Sequence, residues 1–270
     1  MKNLLSQRID SLPPLPQSIL ELDDFRNIDN PTPEKLIKII EKDPLMIATI
    51  LRIANSSMYG FRSEVDTLSR AINLLGINFT VSIAIGSVVQ NAIKSNLSAY
   101  TISNDQFIYI CALASEIVNI WVSQIDKDLK VKLMMPAFLQ EIGKFIISDF
   151  ILKNNLEDGF MKALTTNKTI SQCEEEFTGY TCARITANIF KYWSFSPNLI
   201  LSIGFVGKIK ECPNTFIKNV QILEIIKILT DLRNPFNQKA IDKSIIKAKE
   251  YDLDVDILMN SINQIKSKLK

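Results

Sequence analysis

The side chains of this 270-residue sequence that could carry chemistry are few in kind. There is no histidine. Imidazole is the usual general base near neutral pH and the commonest metal ligand, so Ser-His-Asp and Cys-His nucleophile systems and imidazole-bound metals are excluded together. Two kinds of centre survive. Carboxylates could gather around Mg2+, Mn2+ or Ca2+, the candidates being Glu116, Glu141 and the run Glu174-Glu175-Glu176. Four cysteines, Cys111, Cys173, Cys182 and Cys212, show no C-x-x-C spacing and no evident base beside them, which suits buried thiols used as small apolar groups. Arg52 could hold a phosphate, although a capping or interlobe salt bridge is the commoner use. The acidic run sits on a helix, where acids near the start interact well with the dipole, and reads as a solvated face.

The elements that must position these groups are helices. Eight glycines leave few tight hairpins and no Gly-rich phosphate loop, so the fold class is all-α. The clearest helix is Asp43 to Gly60. Asp43 suits an N-cap and Pro44 the first helical position, where its missing N–H breaks no bond. Leu45 to Ala54 is almost wholly apolar, which predicts a helix buried nearly all round, with Thr49, Arg52, Asn55 and Ser56 on a narrow polar stripe. The Asn-Ser-Ser run should end it, with a turn at Gly60.

Before this helix, Lys2 to Ile9 reads as a short amphipathic helix and Leu12-Pro13-Pro14-Leu15-Pro16 as an extended strap packed on the protein. Gln17 to Phe25 and Glu34 to Glu41 are further helices, the second capped by Thr32 with Pro33 behind it. After it, Asp66 is expected to cap a helix ending at Gly76 in the left-handed region, and Asn78 to open another through Ile93. Ser103 and Gln106 form a capping box for a long helix whose Ser115, Glu116, Asn119 and Ser123 gather on its polar side. The next apolar helix, about Leu129 to Ile151, should kink at Pro136. Thr169 and Gln172 give a second capping box. Helices then follow over Thr181–Trp193, from Ser196-Pro197, over Thr215–Leu232, and in the Lys-rich stretch from Gln238. The weak periodicity of Asn96–Thr101 divides the chain into an N-terminal lobe, residues 1–97, and a C-terminal lobe, residues 98–270.

Composition bounds the partners. Hydrophobic residues are 47% and charged ones 22%, as in a folded protein, and 31 basic against 29 acidic residues give net +2, so no nucleic-acid partner is implied. Apolar runs such as Leu133 to Leu139 are too short and interrupted to insert in a membrane. Unspaced cysteines and the lack of a signal-type leader fit a cytoplasmic location.

Taken in order, these segments resemble the HDOD family, the "HD-related output domain" of bacterial signalling proteins. Leu12, Pro13, Leu15 and Pro16 match its LPxLP opening. Asp43, Pro44, Ile50, Leu51, Arg52, Ala54, Asn55, Ser56, Tyr59 and Gly60 match its D-P-x-L and LLRxANSxxYG blocks, and Ala71, Ile72, Leu75 and Gly76 its A-I-x-x-L-G. The resemblance implies an all-helical fold related to HD-domain phosphohydrolases, usually without their metal-dependent catalysis. In Phe138-Leu139-Gln140-Glu141-Ile142-Gly143-Lys144, which is similar to L-L-H-D-I-G-[KR], Gln140 stands for the histidine and Glu141 for the aspartate. On the same alignment Cys111, Cys182 and Phe205-Val206 occupy other histidine positions.

Cysteine, glutamine and one glutamate cannot reproduce a cluster of imidazoles around hard metals. Gln140 and Glu141 are therefore expected as a buried polar pair hydrogen-bonded to a neighbouring helix or to water. A sharper reading makes them, with Cys111 and Cys182, a relic pocket that binds a nucleotide or other small effector. A third reading, a divergent phosphohydrolase using Glu141, Glu116 and Glu174, needs acids that do not share a face. The expectation is a non-catalytic regulatory protein without metal or cofactor, acting through protein partners in a pathway such as chemotaxis, motility or cyclic-dinucleotide regulation.

Overall fold

The computed structural model describes residues 2–269 except 27, 62 and 167, and among them there is no strand. The local signals place most helix starts. Thr32 accepts from the Lys35 N–H ahead of helix Pro33–Ile40, and Asp43 accepts from the Leu45 N–H at 2.9 Å ahead of Pro44–Ala54. Ser103 and Gln106 exchange the two bonds of a capping box, as do Thr169 and Gln172. Each needs only residues three apart in sequence, which is why it is readable without the fold.

Contacts group the chain into two compact units that interleave along the sequence, and neither coincides with residues 1–97 or 98–270. One unit holds residues 1–14, 90–108 and 139–224. Its core carries edge-to-face aromatic pairs, Phe107 with Phe145 at 4.9 Å, Tyr100 with Phe160 at 5.3 Å and Phe190 with Phe195 at 5.1 Å. The N-terminal helix Lys2–Asp10 packs on helix Lys144–Lys153, where Arg8 pairs with Asp149 at 2.9 Å and donates to the Ile93 carbonyl at 2.8 Å. The strap that follows is gripped by its own unit: Tyr192 Oη donates to the Leu12 carbonyl at 3.1 Å and Trp193 Nε1 to the Pro13 carbonyl at 2.9 Å. Leu12 is buried and Leu15 half-buried, as a packed strap requires. Residues 96–101, expected as a joint, lie inside this unit, with Leu97, Ala99 and Tyr100 buried.

The other unit holds residues 15–89, 109–138 and 225–270. Helix Pro44–Ala54 is half-buried rather than enclosed: Met46, Thr49, Ile50, Ile53 and Ala54 face inward while Leu45, Ala48 and Arg52 are exposed. Thr49 thus leaves the expected polar stripe, because a lone hydroxyl can return its hydrogen bond to a helix carbonyl and be buried cheaply. Asn55 ends the helix by latching a later loop. Its amide donates to the Leu51 and Val65 carbonyls at 2.9 and 2.8 Å, and its oxygen accepts from the Val65 N–H at 2.7 Å. The next helix, Leu68–Leu75, is capped by Thr67 and not Asp66, and Gly76 ends it at φ 83°, ψ 155°, a glycine region other than the left-handed helical one.

Two more expectations change in this half of the sequence. The segment Asn104–Ile125 is long and apolar enough to cross a bilayer, but 72% of its apolar window is buried inside the protein, and it contains a π-helical stretch, Val118–Val122. Its expected polar side is buried only in part: Ser115 donates to the Met134 carbonyl and Glu116 pairs with Lys268 at 2.8 Å, while Asn119 is exposed and Ser123 half-buried. Pro136 does not end its helix, which runs Lys127–Leu139. The break comes at Gln140–Gly143, and the chain resumes as helix Lys144–Lys153.

Candidate functional site

The break at Gln140–Gly143 is set by a close approach. A Cβ on Gly143 would lie 2.8 Å from the Cys182 carbonyl oxygen, 2.8 Å from Thr186 Oγ1 and 2.9 Å from the Thr186 nitrogen, so only glycine lets helix Cys182–Tyr192 come this near. Thr186 then bridges the break. Its hydroxyl donates to the Gln140 carbonyl at 3.1 Å and accepts from the Gly143 N–H at 2.9 Å, which satisfies backbone groups that a broken helix would leave bare.

Around this turn lies a buried charged cluster. Lys144, 1% exposed, pairs with Glu141 Oε2 at 2.9 Å and with Glu174 Oε1, and its Nζ stands 5.0 Å from the centre of the Tyr100 ring. Glu174, 0% exposed, also accepts from Tyr100 Oη at 3.0 Å and from the Cys182 N–H at 3.2 Å, the first residue of helix Cys182–Tyr192. One carboxylate so ties together the 3-10 turn Ser98–Tyr100, the turn before Lys144, helix Ile170–Thr178 and helix Cys182–Tyr192. Burial by itself would lower the Lys144 pKa, but Glu141 and Glu174 outweigh it and hold the ammonium above the ordinary lysine value. Burial, then Glu174, push the Tyr100 phenol well up. The ammonium is therefore a fixed charge, and a protonated lysine is no nucleophile.

The expected residues are brought together only in part. Gln140, Glu141 and Cys182 meet in this unit, while Cys111 is buried in the other. Glu141 is held through Oε2, which takes the Lys144 ammonium at 2.9 Å. Gln140 is not: its side chain is buried, yet neither its amide nitrogen nor its amide oxygen has a hydrogen-bond partner. All four cysteines are buried and unbridged. The acidic run is a correction. Glu175 and Glu176 are the solvated acids expected, facing Lys208 and Lys168, but Glu174 between them and the preceding turn is fully enclosed. The reason is rotation along the helix: Ile170, Cys173, Glu174 and Phe177 share one stripe, so this glutamate falls on the inward side. That spacing, and the opposite charges of Glu141 and Lys144 one helical turn apart, were the available signals for Glu174 and Lys144. Tyr100 gave none.

The ANSxxYG residues lie at the end of helix Pro44–Ala54 and in the turn after it. Leu51 is half-buried and Arg52 exposed, Gly60 turns the chain at φ 54°, and Tyr59 stacks on Phe61 with ring centres 5.8 Å apart. The Ser56 and Tyr59 hydroxyls are buried without hydrogen-bond partners.

The HD resemblance implies a divalent-metal centre at the Gln140-Glu141 turn, and the residues do not fit one. No group of three or more His, Cys, Asp or Glu able to hold an ion occurs among the described residues. The carboxylate in the bridging position is instead bound by an ammonium, whose charge opposes a second cation at the same oxygens.

Comparison with known proteins gives the same fold. The chain is 27% identical to a virulence factor of Campylobacter jejuni over the full length of both chains, with a TM-score of 0.58. A candidate phosphohydrolase of Shewanella amazonensis aligns at 22% identity over 98% of each chain with a TM-score of 0.67. A candidate signal transduction protein of Marinobacter aquaeolei aligns at 17% identity and a TM-score of 0.71, over 96% of this chain and 58% of its own. In sequence, a protein of Treponema pallidum is 28% identical over 93 residues, a match spanning 18% of that protein's length. The HDOD domain family model matches residues 12–208, well over half of the sequence, and the chain is thereby a member of the HDOD family.

Proposed function

We propose that this HDOD protein is a non-catalytic regulator that works in the bacterial cytoplasm through contacts with protein partners, in a signalling pathway of the chemotaxis, motility or cyclic-dinucleotide kind. One observation carries the reading: the turn that aligns with a hydrolase's metal-binding pair is built as a closed ion-paired core, Glu141–Lys144–Glu174, with no imidazole in the sequence to complete a centre. The signal-transduction description of the Marinobacter relative supports the regulatory class, and the phosphohydrolase description of the Shewanella one supplies the alternative to be tested.

The test is turnover. The purified chain is incubated with cyclic dinucleotides and with bis-p-nitrophenyl phosphate in Mg2+ and in Mn2+, and no hydrolysis above buffer is expected. Hydrolysis that disappears in Glu141→Gln would refute the reading.

A second reading has its own support, the buried Gln140 carboxamide with nothing to bond to. A buried amide left in that state costs about 1–3 kcal/mol, which a ligand with a matching donor and acceptor edge would recover. An effector of this kind, a nucleotide among the candidates, would raise the melting temperature without turnover and lose its effect in Gln140→Leu.

A further inference from the structure

Away from the charged cluster, the same unit carries a cleft of about 370 Å³ between helix Lys2–Asp10 and helix Lys144–Lys153. That volume is in the range of sites that take small organic molecules, and a seam between packed helices is a usual place for one. Its floor is apolar, from buried Leu5 and Phe150, and Leu4, 51% exposed, carries the apolar lining out to the surface. Its polar side is basic. Arg8 Nε and Lys153 Nζ both bond Asp149 Oδ2 at 2.9 Å, so two positive charges share one negative and the charged residues of the lining sum to +1. Arg8 Nη2 is engaged by the Ile93 carbonyl at 2.8 Å, whereas Nη1 reaches Ser11 Oγ only at 3.4 Å, beyond the usual length of such a bond. Nη1 and the exposed Lys153 ammonium are therefore the donors that an anion entering the cleft would meet.

We propose that this cleft binds a small amphipathic anion, one acidic group on an apolar body, with the acid between Arg8 Nη1 and Lys153 Nζ and the body on Leu4, Leu5 and Phe150. A neutral apolar molecule would leave the surplus positive charge unmatched, and a purely ionic one would cover none of the apolar floor. Residues 4–11, the first wall of the cleft, precede the stretch that matches the family model, so the site is built by adding a helix to the matched domain. The inference goes beyond the regulatory reading and beyond the Gln140 carboxamide, and neither depends on it.

The experiment titrates the full chain with two dyes and follows their fluorescence: anilinonaphthalenesulfonate, aromatic rings with one fixed negative charge, and phenylnaphthylamine, the same rings without the sulfonate. Wild type should bind the sulfonate saturably. Lys153→Glu, which takes the lining from net +1 to net −1, should weaken the sulfonate by about tenfold or more and leave the neutral dye within about twofold. Leu4→Ser should weaken both dyes by about threefold or more, because it removes apolar surface that either would cover. Both side chains are exposed, so neither change opens the core, and circular dichroism checks that the variants are folded. No sulfonate bound to wild type overturns the proposal. So does binding that either substitution leaves unchanged, which would put the dye elsewhere, and so does equal weakening of both dyes by Lys153→Glu. Should Leu4→Ser not fold, the comparison of the two dyes on Lys153→Glu decides alone.

Discussion

Replacing Glu174 by alanine should damage the protein far more than the same change one residue later. In Glu174→Ala the Lys144 ammonium keeps only Glu141, while the Tyr100 hydroxyl and the Cys182 N–H lose their acceptor, all in a site closed to water. Removing one partner of a buried ion pair costs about 3–5 kcal/mol, because the other charge is left uncompensated. Each buried donor left bare adds about 1–3 kcal/mol, but these terms overlap since the side chains relax together, so about 4–6 kcal/mol is expected for the whole change. For a chain of this size that is a fall in melting temperature of about 10–20 °C. Glu175→Ala, which removes only an exposed acid 3.5 Å from Lys208, should cost under about 1 kcal/mol. Parallel melts of wild type and both variants, monitored by far-ultraviolet circular dichroism, make the comparison. If Glu174→Ala melts within about 3 °C of Glu175→Ala, the enclosed cluster does not exist as described.

Gly143→Ala should destabilise by about 2 kcal/mol or more, since the added methyl meets backbone atoms of helix Cys182–Tyr192 at 2.8 and 2.9 Å; a melt unchanged from wild type would mean the two segments are further apart. Asn55→Ala removes three hydrogen bonds to residues 51 and 65 and should cost about 1–2 kcal/mol, with faster proteolysis in the loop after Gly60 as the local readout. Stability should fall as pH rises past the ordinary tyrosine and lysine values of 10.0 and 10.5: the unfolded chain then releases protons that native Tyr100 and Lys144 retain, so the folded state binds more protons and ∂ΔG/∂pH is negative. Below those values both contributions are fully present. In Tyr100→Phe the decline in alkaline urea melts should be shallower.

What the sequence disclosed, and what it withheld, follows from the range of the interactions. Asp43, Thr32, Ser103 and Thr169 were legible because a cap is decided by the residues within a turn of it. Asp66 failed against Thr67 because both are good caps and one residue of register is beyond a periodicity argument. Pro136 was a fair reason to expect a kink, yet the chain breaks later, where Gly143 admits a helix that begins about forty residues on. Glu174 was read with its solvated neighbours, and its burial depends on Lys144, 30 residues away. Of the candidate site, the Gln140-Glu141 pair and Cys182 could be named from motif spacing. Tyr100 and the role of Lys144 could not, since nothing within their own segments announces the partners that enclose them.

The interleaving of the two units has a consequence for how the molecule is made. During synthesis residues 1–14 of one unit leave the ribosome before residues 15–89 of the other, and the clustered charges around Lys144 cannot all be paired until helix Ile170–Thr178 has emerged. Such long-range closure favours slow folding and prolonged exposure of unfinished apolar faces. A nascent chain halted near residue 160 would carry the Glu141–Lys144 turn without Glu174, the second carboxylate that holds the ammonium in the finished protein.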